Sequence, residues 1–233
     1  MPVPSEPEAN DDDELARFVT MLGELGHPSP GQGIAARASD IARFIAIAGH
    51  PLPRSYVAFV ERFGEQAPVF IAIGDGRGSL SEVLRFYDEE REGIDAQEVV
   101  IAAPSITEAT VLRYTSDGRP PSVGHPGGPI AAPTFTHHLY RQGWVQTLRG
   151  AEVQLTVKAG DAASLAGLAE AAGFHRLWFS GGEGMCLEVP RTQLFIRAEH
   201  SCVRLFVLSR VAAERERWAA WFERKAGARR LAA

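Results

Sequence analysis

The chain has 233 residues, 45% hydrophobic and 23% charged, with a formal net charge of −5; that is an ordinary soluble globular composition, long enough for one large domain or two small ones. No apolar run approaches the roughly 18 residues that cross a bilayer, which argues against a membrane protein. Two cysteines, Cys186 and Cys202, make no disulfide framework, and the opening MPVPSEPEAN lacks the basic and apolar regions of a signal peptide, so the expected location is cytoplasmic.

Residues 1–10 read as a disordered tail, rich in proline and acid. DDDELARFVTMLGELG then predicts a helix, with acid at its positive end and Leu15, Phe18, Val19 and Leu22 on one face. After the breaker-rich GHPSPGQG, Ile41, Phe44, Ile45 and Ala48 fall at helical spacing, and GHPLP should stop that helix. Pro53 fits the first turn of a second helix, whose Tyr56, Phe59, Val60 and Phe63 repeat the stripe and which Gly64 should close.

PVFIAI (68–73) is a strand candidate, followed by GDGRGS and a helix carrying Leu80, Val83, Leu84 and Tyr87. Strand, glycine turn and helix is also the order of a phosphate-binding loop. A Walker loop, however, needs a lysine against the phosphate, and the first 150 residues hold none. The spacing of GDGRGS is wrong for a dinucleotide fingerprint, so its glycines read as a tight turn into a helix that Ser79 and Glu82 cap. VVIAA (99–103), ATVLRY (109–114) and a short PSV segment read as strands, with TSDG as a turn. PTFTHHLYRQGW reads as a helix behind a Thr134 cap, with Phe135, His138 and Leu139 inward.

The last third has another rhythm. AEVQLTVK alternates as a strand, and Asp161 caps a helix with Leu165, Leu168 and Ala172. Strand candidates succeed it at 174–180, 185–189, 193–198 and 202–208, then a helix from Val211 with Trp218, Trp221 and Phe222. The string predicts a small α+β unit of its own, so the expected organisation is a tail at 1–10, one domain over 11–147 and a second over 148–233.

Chemistry is thinly represented. His137 and His138 diverge by about 100° on a helix and cannot share a metal. His200 and Cys202, with Cys186 on a neighbouring strand, are the one set that could hold zinc, although both cysteines sit in apolar strand patterns where the thiol acts as a small core residue. No serine occupies a nucleophile elbow. The expectation is a protein with no catalytic residues, no metal and no cofactor.

Charge is unevenly divided. Residues 1–150 carry 12 Arg and no Lys against 20 acidic residues, a net of −8, whereas residues 151–233 carry 12 basic and 9 acidic residues, a net of +3. An acidic front portion argues against a nucleic-acid partner and suits a basic protein. The densest acidic surface candidate is Asp88, Glu89, Glu90, Glu92, Asp95 and Glu98.

DIARFIAIAGHPLPRSYVAFVERFGE resembles the entry of the SUKH superfamily, the Smi/Knr-type cell-wall regulators of yeast and their bacterial immunity-protein relatives. The matching positions are Ile41, Phe44, Leu52, Pro53, Tyr56, Phe59 and Gly64. VVIAAPSITEATVLRYTSDGRPPSV resembles the family's central strands, and APTFTHHLYRQGW its closing helix. The likeness covers residues 34–147, and departs from the family where Phe63, Gly64 and Glu65 stand in place of Asn-Gly-Gly. It implies an α+β fold with a central, mostly antiparallel sheet flanked by helices, and a non-catalytic protein that neutralises a cognate toxin by direct binding. A regulatory or scaffold module, with residues 151–233 as a second binding surface, and a small metal-dependent enzyme remain alternatives.

Overall fold

The computed structural model describes residues 11–27, 31–67, 78–89, 94–102, 109–146, 152–158, 161–181, 184–199 and 201–231. The fold is α+β, and the chain divides into two compact units on either side of residues 147/148.

The first unit runs α1 (Asp11–Glu24), α2 (Ala38–Ala48), α3 (Arg54–Phe63), α4 (Leu80–Glu89), β1 (Glu98–Ala102), β2 (Thr110–Arg113), β3 (Ser122–Gly124), β4 (Ile130–Ala132) and α5 (Phe135–Gln146). The four strands form an antiparallel meander in chain order. The helical stripes drive the packing: Phe18 and Leu22 of α1, Phe44 of α2 and Tyr56, Phe59 and Phe63 of α3 are all buried. They meet α5 through aromatic edges, Tyr56–Phe135 at 5.1 Å between centroids and Phe18–Tyr140 at 5.2 Å, contacts that add to the burial of large rings.

Two glycines punctuate the helix pair for different reasons. Gly49 ends α2 at φ +71, a left-handed cap that side chains disfavour. Gly64 ends α3 at φ −66, so no left-handed cap closes this helix. Instead a Cβ there would lie 2.4 Å from the Val60 carbonyl oxygen and 2.7 Å from Ala36 Cβ. Space, not backbone torsion, requires the glycine. Pro53 stands at the N-cap, where its carbonyl accepts from the Tyr56 and Val57 amides, both at 3.0 Å.

The 68–73 strand candidate and Gly74 and Gly76 lie outside the described residues. The helix expected after them is present as α4, and its capping residue is in place: Ser79 Oγ accepts the Glu82 amide at 3.3 Å. β4, which the sequence pattern does not predict, is only three residues long and sits behind a Gly127 turn at φ +61.

The second unit runs β5 (Glu152–Val157), α6 (Ala162–Ala171), β6 (His175–Arg176), β7 (Gly184–Val189), β8 (Thr192–Ala198), β9 (Val203–Leu208), α7 (Ala212–Ala226) and β10 (Arg229–Arg230). Its antiparallel sheet has the order β10-β5-β9-β8-β7-β6. Asp161 caps α6, accepting the Ser164 hydroxyl at 2.6 Å and the Ser164 amide at 2.7 Å, and these bonds hold its carboxyl below the ordinary range. α6 and α7 cover one face of the sheet, where Leu155, Leu194, Ile196, Leu205 and Val207 pack against Leu165, Phe174, Trp218 and Phe222. Trp218 is thereby a core residue, 4.6 Å from Phe174, while Trp221 is half-buried at its margin. The strand expected over 174–180 shortens to His175–Arg176, because the chain then turns and Ser180 bonds the Cys186 backbone through its hydroxyl.

Candidate partner-binding site

Glycine and proline at the α2–α3 elbow bring His50 over Tyr114, the rings stacked at 4.4 Å and 13°. The His50 imidazole bonds the Ala96 carbonyl at 2.7 Å, and the Tyr114 hydroxyl donates to the Pro51 carbonyl at 2.9 Å. Half-burial, and then the neighbouring Tyr87, push the Tyr114 phenol up to about 12. These bonds fasten the helix pair to the segment that leads into β1, where the acidic run lies. Of the family-motif positions, Tyr56, Phe59 and Gly64 are buried and Leu52 and Pro53 are half-buried, which makes them builders of the elbow.

The acidic run does not form one uniform surface. Asp88 and Glu89 are exposed at the end of α4, and Asp88 accepts from Arg43 of α2 at 2.5 Å. Asp95 is exposed and turns its carboxylate onto the Gln97 amide at 2.8 Å. Glu90 and Glu92 lie outside the described residues. Glu98 points inward: its carboxylate is buried, bonded by Arg113 at 2.8 Å and 3.0 Å. The same guanidinium reaches the His125 and Gly128 carbonyls, so this pair braces the β3–β4 turn and offers no charge to a partner.

Asp88 and Glu89 carry a local penalty. They occupy the negative end of a helix dipole, where cations are the favoured residues, and the last turn of α4 has no basic residue. Among the described residues only Arg43, from another helix, compensates. Of the two, Glu89 breaks the local rule with no ion pair among the described residues, whereas Asp88 is paired with Arg43.

Among the described residues, the histidines and cysteines singled out from the sequence do not converge. His138 is buried with no hydrogen-bond partner on either ring nitrogen among the described residues. Burial, then the nearby Arg141 and His125, push its pKa down to about 3. His137 pairs instead with Thr134, at 2.8 Å. Cys186 of β7 is separated from β9 by β8, where it faces Phe195, so it is not on a strand adjacent to Cys202. His200 lies outside the described residues. Among the described residues no three His, Cys, Asp or Glu side chains gather to hold a metal, and no helix is long and apolar enough to cross a membrane. Compared with family models, with curated proteins and with solved structures, the chain gives no match.

Proposed function

We propose that this chain is a non-catalytic binding protein of the immunity type, acting in the cytoplasm, that neutralises a cognate toxin by covering a basic surface on it. The observation that carries the reading is the exposed carboxylate group of Asp88, Glu89 and Asp95 beside the α2–α3 elbow. Asp88 and Glu89 stand where the helix dipole opposes them, and acidic complementarity speeds encounter with a basic partner and rejects others. The resemblance of residues 34–147 to the SUKH superfamily supports the same reading.

The test is co-expression with the product of the adjacent gene, followed by co-purification and a viability count. A one-to-one complex that restores growth is the expected outcome. A folded, toxic neighbour that is neither bound nor neutralised would overturn the reading. A second reading, a regulatory module with several partners, is favoured by the separate apolar core of residues 152–231, which gives the chain a second independent surface.

A further inference from the structure

The sheet of the second unit has two unlike faces. Residues alternate along a strand, so the face opposite α6 and α7 is set by the register. Arg197 of β8 stands across from Arg204 of β9, Arg204 across from Thr156 of β5, and Thr156 across from Arg229 of β10. One row of three arginines and a threonine therefore crosses four strands, a span of about 14 Å. Two residues along, Phe195 stands across from Phe206, and Phe206 across from Gln154.

The two phenylalanine rings lie 5.8 Å apart and tilted by 38°. Both are half-buried and neither belongs to the apolar cluster beneath the helices. Arg197 and Arg229 are exposed, and Arg204 is half-buried. Glu199 bonds both Arg197 and Arg204, at 2.8 Å and 2.9 Å. Arg229 has no carboxylate partner among the described residues. One carboxylate thus serves two of the three guanidinium groups, and two arginines face each other directly, an arrangement that is unfavourable in a sheet. At the far end of the face, Gln193 Oε1 is buried without a hydrogen-bond partner among the described residues.

We infer that this face is a platform for single-stranded nucleic acid. Phosphates would take the arginine row, where they compete with Glu199 for charge that is already in surplus. Two unstacked bases would lie on Phe195 and Phe206, with Thr156 and Gln154 available to their polar edges. Aromatic platforms beside a basic track bind single strands because every base has a π-face. The net charge of the first 150 residues argues against such a partner; the register shows that positive charge is gathered in a part of the chain to which that count does not apply. An acidic protein segment would also be drawn to the arginines, but it needs no planar partner on the rings, whereas every unstacked base offers one.

The experiment measures fluorescence anisotropy of the full chain with a labelled RNA of about 12 nucleotides, and its DNA counterpart, against salt. Expected is binding at low salt with a log–log salt slope of about −2, from about −0.7 for each of three phosphates. Phe195→Leu and Phe206→Leu, whose side chains lie outside the helix-covered core, should each weaken binding about tenfold. Arg197→Gln and Arg229→Gln should each flatten the slope instead. A duplex of the same sequence, whose bases are stacked, should bind more weakly. Absence of binding to either single strand at low salt would overturn the inference. So would equal binding of polyglutamate with no dependence on the phenylalanines, which would mark the face as a dock for an acidic protein.

Discussion

The phenolic oxygen of Tyr87 accepts the backbone N–H of Val100 at 2.9 Å, fastening α4 to the middle of β1. Both residues are buried, so no water stands ready to replace the bond.

Tyr87→Phe should therefore lower stability by about 1–3 kcal/mol, since it leaves a buried donor unpaired while barely changing packing. Urea unfolding gives the size of the effect. Hydrogen exchange should accelerate at the Val100 amide more than at its neighbours in β1.

Acid should weaken the protein through His138. Its folded imidazole is held at about 3, against 6.5 for an ordinary one. As pH falls the unfolded chain takes up the proton first, so this contribution is whole above about pH 6.5. It is then lost at about 1.4 kcal/mol per pH unit down to about pH 3. Arg141 and His125 both resist the added charge. His138→Leu should flatten that part of the acid limb by the same slope and should not destabilise at neutral pH, because it removes two buried ring nitrogens that have no partner among the described residues. An unchanged limb would show that other groups govern acid unfolding.

Two acidic residues of one short run should behave oppositely. Glu98→Gln removes half of a buried ion pair and should destabilise by about 3 kcal/mol, leaving the salt dependence of partner binding as it was. Glu89→Lys touches an exposed charge and should stay within about 0.5 kcal/mol in stability. It should weaken the basic partner and flatten the salt dependence. The reverse pattern would remove Asp88, Glu89 and Asp95 from the binding surface.

Gly143 lies in α5 where α1 crosses it, and an added Cβ would meet the Phe18 ring at 2.6 Å and 2.7 Å. Gly143→Ala should lose about 1–3 kcal/mol to overpacking, less the gain of about 1 kcal/mol from better helix propensity. Exchange protection in α1 should fall before that in β1 and β2.

The helical stripes of α1, α3 and α4 were legible because each buries one face; α5 is buried on nearly every side, and in α2 Ile45, read as part of the stripe, is 49% exposed. Phe18, Phe44, Tyr56, Phe59, Val83 and Phe135 are buried where their spacing placed them. The short PSV segment was legible as β3, but β4 was not: it offers three residues and no alternation to read. Glu98 misled for a related reason. β1 is buried along its whole length, so its charged residue is interior, and the partner that makes this tolerable, Arg113, is fixed by strand pairing. The basic-aromatic face was half legible. Phe195 and Arg197, and Arg204 and Phe206, each show the two-residue spacing of a shared face, but only the register sets the two pairs side by side.

The contact between α1 and α5 also bears on the order of events at the ribosome. The Tyr140 hydroxyl donates to the Glu14 carbonyl at 3.1 Å, and its ring packs on Phe18. α1 thus has one part of its cover, Tyr140, encoded some 126 residues after Glu14, while α3 packs against it from much nearer in the chain. At about 5–20 residues per second, the part of the α1 stripe that Tyr140 covers waits roughly 6–25 s for its partner. The hairpins β7–β8 and β8–β9, by contrast, find their partners almost as soon as they appear. A nascent chain arrested before Tyr140 should therefore leave the Phe18 edge of α1 less protected from protease than in the released chain, where Tyr140 packs on it.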